Sequence, residues 1–172
     1  MRRTAELGLM LALALILSYV ESMIPFSFGI PGIKLGLPNL IVLLLLYEKP
    51  NTGGEREALL VNVLRIVLSG FLFSNLYTIL YALAGAAFSF AAMALGRRTK
   101  RFSMIGVSVF GGVFHNVGQL LVAMAVVKTL AVAYYVPFLI VAGTVTGAVL
   151  GIAGTTLLPY LRRLEEEREQ RK

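Results

Sequence analysis

The chain has 172 residues, 58% of them hydrophobic and 15% charged, with a formal net charge of +7 and no cysteine; its mean hydropathy is +0.81. These values lie outside soluble globular usage and fit a polytopic, all-α integral membrane protein, one transmembrane domain over 1–172 with short loops. Without cysteine there are no disulfides, no thiolate chemistry and no Cys-ligated metal centres, and in so apolar a chain the excess of cations reads as a topology signal on loops, not as a nucleic-acid surface.

Spans of about 20 apolar residues at ~1.5 Å rise predict six transmembrane helices near 5–24, 36–48, 55–73, 76–96, 103–128 and 133–160, then a charged tail over 161–172. Helix 1 follows Met1-Arg2-Arg3, but its apolar run exceeds that of a secretory signal and no small-x-small cleavage site precedes the next span, so it is expected to remain in place. It carries Gly8-x3-Ala12 and Ala14-x3-Ser18, the spacing that lets helix backbones approach in lipid, and it ends near Glu21.

The next segment, from Ile30 through Pro31, Gly32, Lys34, Gly36, Pro38 and Asn39 to Leu40, sets one lysine and one asparagine among glycines and prolines. Irregular backbone near membrane depth survives only inside protein or facing a watery cavity, which makes the segment, with Lys34 and Asn39, a candidate binding-site wall. Helix 2 is too short to span on its apolar run alone, so the Pro/Gly segment is expected to complete the crossing. The loop that follows has turn chemistry in Pro50 and Gly53-Gly54, and Glu55 and Glu57 suit the positive end of the helix 3 dipole.

Helix 3 places Asn62, Arg65 and Ser69 on one face. A charge left facing lipid costs about 2.5–3.5 kcal/mol at a span centre, so this face is expected to turn inward, with Arg65 either holding a carbonyl or Glu21 to fix the bundle, or contacting a ligand. Helix 4 has small residues from Ala82 to Ala92, including Gly85. Helix 5 has His115 and Gln119 on a shared face with Asn116 beside it, either interhelical hydrogen bonders or ligand contacts. Tyr134-Tyr135 opens helix 6 as interfacial anchors or as rings for a ligand, Gly143-x3-Gly147-x3-Gly151 predicts close packing, and Glu165–Lys172 extends the helix into solvent.

Arg2, Arg3, Lys49, Arg56, Arg97, Arg98, Lys100, Arg101 and the tail from Arg162 all fall on one side, against Lys34 and Lys128 on the other, so both termini are expected in the cytoplasm. Gln119, Glu21 and Lys34 then gather outside with His115 and Arg65 near mid-depth, a pattern of one outward-opening pocket. The chain has no G-x4-GK[ST] phosphate loop, no aspartate, no metal-ligand cluster and no convincing Ser/His/acid set. It is expected to be no enzyme and to hold neither cofactor nor metal. A proton relay would have His115 and Glu21 as its parts.

The small-residue helix 1 ending near Glu21, the Ile30–Leu40 segment, Arg56-Glu-Ala-Leu-Leu-Val-Asn-Val-Leu-Arg65 with Leu68-Ser-Gly70, and Phe102–Ser108 running into His115-Asn-Val-Gly-Gln119 together resemble the Gx transporter family. That family, labelled also component I of heptaprenyl diphosphate synthase, is similar to the substrate-binding S components of energy-coupling factor (ECF) transporters. The resemblance implies a six-helix S-component fold in the bacterial cell membrane, capturing a small, anionic or aromatic molecule from outside under a covering loop between helices 1 and 2. It also implies a partner module of two ATPases and a transmembrane coupling subunit, docked on the small face of helix 1, where Gly8 and Ala12 stand nearest to the Ala-x3-Ala pattern common in S components. Lys34 and Arg65 would draw the anionic group, Asn39, His115, Asn116 and Gln119 would hydrogen-bond it, and Tyr134 or Tyr135 would stack on a ring. Two other roles stand beside this one: a non-catalytic membrane accessory of prenyl diphosphate or quinone metabolism, and an autonomous proton-coupled carrier.

Overall fold

The computed structural model of the chain describes residues 2–24, 36–48 and 54–170. Lys34 and most of the Pro/Gly segment lie outside the described residues. The elements are α1 (Arg2–Met23), α2 (Asn39–Glu48), α3 (Gly54–Phe73), α4 (Leu76–Arg98), α5 (Met104–Val127), a 3-10 turn (Leu130–Tyr135) and α6 (Val136–Gln170), with no strand among the described residues. Among the described residues four stretches are long and apolar enough to cross a membrane: Arg3–Met23, Leu76–Arg98, Met104–Val127 and Leu130–Leu164.

The ends of the last two helices differ from those expected. Tyr134 and Tyr135 close a 3-10 turn instead of opening the last helix, which starts at Val136. The tail continues α6 past Pro159 through Gln170, the helical extension that the sequence predicts. Helix 5 stops at Val127 because Lys128 turns left-handed, at φ 53°.

Local chemistry explains the other ends. Asn75 caps α4 by accepting from the Thr78 backbone N–H at 2.9 Å, and Ser103 caps α5 by accepting from Gly106 at 3.2 Å. In α6, Thr144 and Thr146 return their hydroxyls to the Ile140 and Ala142 carbonyls at 2.8 and 2.9 Å, which satisfies polar groups in an apolar helix.

Packing contacts fix the topology. Helices α1 and α3 run in parallel, joined at one end by Arg3 and Glu57 and at the other by the Tyr19 and Phe73 rings, 5.2 Å between centroids. From α3 onward neighbours alternate in direction, α3 on α4, α4 on α5, and α5 on α6. The short α2 lies in the middle, against α1, α3, α4, α5 and α6. Its Ile41, Val42, Leu43, Leu44, Leu45 and Leu46 are all buried and form the core with Met10, Ala14, Val61, Met93, Met104, Val107 and Leu158. A helix that is apolar all round belongs inside, so α2 can be short without exposing its ends to lipid.

One end of the bundle is a belt of ion pairs. Arg3 meets Glu6 at 3.2 Å and Glu48 at 2.9 Å as well as Glu57, so a single guanidinium ties α1 to α2 and α3. Glu55 receives Arg98 at 2.5 Å and stands 3.9 Å from Arg97, whose guanidinium lies over the Tyr47 ring. Hence Glu55 and Glu57 do more than favour the dipole of α3.

Glycines set the closest helix contacts. A Cβ on Gly143 would stand 2.7 Å from the Gly112 carbonyl oxygen, and one on Gly147 would stand 2.6 Å from the Val109 Cα. Gly151 meets Ile105 in the same way, so the predicted glycine repeat of α6 is the seam with α5. The two small motifs of α1 divide: Ala14 and Ser18 are buried, while Gly8 and Ala12 are exposed, and a Cβ on Gly8 would meet nothing within 4 Å.

Candidate functional site

At the end away from the ion-pair belt, polar side chains from four helices, α1, α2, α3 and α5, are buried together. Glu21, in the last turn of α1, points inward and is 5% exposed. Its Oε1 accepts from the Gly36 and Leu37 backbone N–H groups, the latter at 3.1 Å. The chain entering α2 is thus pinned to the end of α1 by a charge-assisted bond. Gly36 has φ +83°, where a side chain would be strained, and a Cβ there would also come within 2.8 Å of Asn39 Nδ2 and 3.1 Å of His115 Cδ2. The glycine is what allows the α2 entry to lie against His115.

Helix α3 supplies Asn62, Arg65 and Ser69, all buried on the face that their spacing predicts. Asn62 Oδ1 accepts from both Nε and Nη2 of Arg65, at 3.1 and 2.9 Å. The guanidinium is within electrostatic reach of Glu21 and of His115. One acid and one cation are therefore buried within electrostatic reach of each other inside the bundle.

Helix α5 supplies His115 and Gln119, 2% and 1% exposed. The Gln119 amide nitrogen and His115 Nε2 are 3.1 Å apart; with the amide as donor, Nε2 accepts and the proton of a neutral ring sits on Nδ1. Nδ1 lies against Gly85 of α4, where a Cβ would stand 2.9 Å away, and it has no hydrogen bond of ordinary geometry. Both amide atoms of Asn39 are likewise buried and unpaired. An unsatisfied buried polar group costs roughly 1–3 kcal/mol, which sets these two side chains apart from most other buried polar groups.

The other expected residues fall elsewhere. Asn116 donates to the Leu139 carbonyl at 2.8 Å and joins α5 to α6, the interhelical role that its position left open. Tyr134 is 89% exposed and Tyr135 40%, so neither ring is buried in the polar cluster. Lys34 lies outside the described residues. Glu21, Gly36, Asn62 and Gly85 belong to the cluster although the sequence singled out none of them as a ligand residue. The acid in the last turn of an apolar helix and the amide on the Arg65 face were the signals for Glu21 and Asn62.

Gly85 offers a direct test of the cluster. An alanine methyl would stand 2.9 Å from His115 Cε1 and Nδ1 and from Gln119 Cγ, side-chain atoms that can move aside. Gly85→Ala is expected to keep the fold, at a cost of about 1–3 kcal/mol, and to shift the ¹⁵N imidazole resonances of the chain's single histidine. Gly106→Ala, where a Cβ has only ordinary contacts, should leave them in place. An unmoved imidazole in Gly85→Ala would place His115 elsewhere.

A helical bundle, apolar outside and with a buried polar cluster toward one end, defines a polytopic membrane protein with an interior polar site. The chain matches the model of the heptaprenyl diphosphate synthase component I family over residues 10–157, nearly its whole length, and belongs to that family. No curated protein and no solved structure matches it.

Proposed function

We propose that the chain is a membrane-embedded, substrate-binding subunit of the S-component kind, which captures a small anionic or aromatic molecule from outside and passes it to an ECF-type ATP-driven module. All six helices would then cross the bacterial cytoplasmic membrane in an S-component arrangement, with the ion-pair belt and both termini in the cytoplasm and the polar cluster toward the outside. The observation that carries the reading is the unpaired, buried amide of Asn39, set against Gly36 and His115 beside the Arg65–Glu21 pair.

Each part has a role in this reading. Asn39, His115 and Gln119 present donors and acceptors, Arg65 orients an acidic group while Glu21 tempers its charge, and Lys34 adds the cation that attracts an anion. Asn116 holds α5 and α6 together around the site, and Tyr134 and Tyr135 meet the ligand at the mouth. In this reading the cluster binds without reacting, and the chain has no phosphate-loop motif with which to hydrolyse a nucleotide. Energy comes from two ATPases and a coupling subunit docked on Gly8 and Ala12.

The test is uptake into vesicles, with a mixed metabolite pool outside and mass spectrometry of the contents, with and without an ECF module. Accumulation of at least one compound should require both the module and this chain. Gly8→Leu should lower that accumulation severalfold with no loss of thermal stability, because nothing of this chain is within 4 Å of a Cβ there. Accumulation that depends on neither component would end the reading. The family description favours a second role, a non-catalytic accessory beside a prenyl diphosphate synthase. Co-purification with a soluble synthase, lost when the 97–103 loop is replaced, would select it.

A further inference from the structure

At the ion-pair end a second feature stands apart from the polar cluster. Between the end of α2, the start of α5 and the last turns of α6 lies a cavity of about 570 Å³. Met104, Leu158 and Pro159 give it apolar walls, and Arg162, Arg163 and Glu166 stand on its rim. Pro159 has no N–H to offer the Thr155 carbonyl, and Thr155 also lines the cavity.

The two arginines differ from the ion-paired arginines at this end. Arg3 is held by three carboxylates and Arg98 by one. Arg162 instead donates from Nη2 to the Tyr47 backbone carbonyl at 2.9 Å, a neutral partner that positions the guanidinium and leaves its charge unspent. Among the described residues neither Arg162 nor Arg163 forms an ion pair, and Glu166 offsets one of the two charges at most. Snorkelling would carry such side chains away from apolar surface into water; here a backbone bond holds one of them at the cavity mouth.

We propose that this cavity binds a phosphate group carried at the edge of apolar chain, the phosphate on Arg162 and Arg163 and the hydrocarbon along Met104, Leu158 and Pro159. Planar guanidinium forks match phosphate oxygens, and the apolar walls favour an amphiphile over a free ion. The inference is independent of the proposed function, because it concerns the opposite end of the bundle.

The experiment is native mass spectrometry of the full chain extracted from vesicles of equal phosphatidylglycerol and phosphatidylcholine, with and without added inorganic phosphate or pyrophosphate. Preferential retention of phosphatidylglycerol, undisturbed by either soluble ion, is expected and assigns the site to a lipid headgroup. Displacement of the lipid by pyrophosphate or phosphate at millimolar concentration would assign the same site to a soluble phosphate compound. No lipid preference and no ion effect would overturn the proposal. Arg162→Gln with Arg163→Gln should weaken phosphatidylglycerol retention roughly tenfold, the scale of losing charge-assisted bonds. Lys100→Gln with Arg101→Gln removes the same charge from the α4–α5 turn and should change it little; equal loss in both pairs would mean general charge attraction and would also overturn the proposal. The wild-type lipid preference decides the matter even if the arginine pair does not fold.

Discussion

Arg65→Met is expected to destabilise the purified protein by about 1–3 kcal/mol, because it breaks the two hydrogen bonds to Asn62 Oδ1 and removes the cation within electrostatic reach of the buried Glu21. Arg65 is 4% exposed, its guanidinium bridges to Asn62 and reaches Glu21, and Glu21 in turn pins the entry of α2 through Gly36 and Leu37. Methionine fills much of the volume but leaves a carboxylate buried without the cation within its reach. Glu21→Gln should also be destabilising, since it weakens a charge-assisted bond to the backbone and leaves Arg65 uncompensated. The double variant Glu21→Gln with Arg65→Met is the decisive member of the series. If the two charges balance each other, it should be more stable than the sum of the single losses by roughly 0.5–3 kcal/mol. Thermal unfolding in one detergent at one pH measures all four proteins. Strict additivity would mean that Arg65 is compensated by some other group, and the cluster would then have to be redrawn.

The sequence revealed faces better than it revealed neighbours. The spacing of Asn62, Arg65 and Ser69 put them on one side of α3, and the cost of a charge in lipid turned that side inward; all three are buried. The glycine repeat of α6 announced a close seam for the same reason that any small-x3-small pattern does, since it permits an approach that larger residues forbid. What spacing on one helix does not carry is the identity of the helix opposite. Nothing in the sequence says that Gly143 meets Gly112 or that Gly85 backs His115, because those contacts depend on how far each helix slides and rotates. Asn116 shows the limit well: position made it either ligand contact or glue, and the Leu139 carbonyl to which it donates was not legible in the sequence. Tyr134 and Tyr135 show it again. Their placement beside an apolar run was legible, but the 3-10 turn that leaves Tyr134 almost wholly exposed arises from Thr129 accepting the Ala131 N–H, a local detail no periodicity reports. The inward turn of Glu21 had a visible motive, a charge beside lipid, without a visible partner.

The α5–α6 seam gives the other large effect. Gly112→Ala should cost more than 3 kcal/mol, above the about 1–3 kcal/mol of ordinary overpacking, and should lower the yield of monodisperse protein sharply. A Cβ on Gly112 would run into the Gly143 carbonyl oxygen and stand 3.2 Å from the Gly147 Cα, and both obstacles are backbone. Relief requires that the α5 and α6 backbones move apart at this point, close to the Asn116 bond to Leu139 that also joins them. Gly111→Ala is the internal comparison. There the added methyl would meet Met93 Sδ at 2.7 Å and Cγ at 2.8 Å, and methionine has the rotamer freedom to yield. The expected order of loss in thermal stability is therefore Gly112→Ala well above Gly111→Ala, with Gly106→Ala, facing nothing closer than 3.6 Å, least of all. The same substitution at three nearby positions of one helix holds helix propensity nearly constant, so the differences report the opposing surface. Equal losses at Gly111 and Gly112 would show that α6 yields as readily as a methionine side chain, and the rigid seam that positions His115 would have to be abandoned.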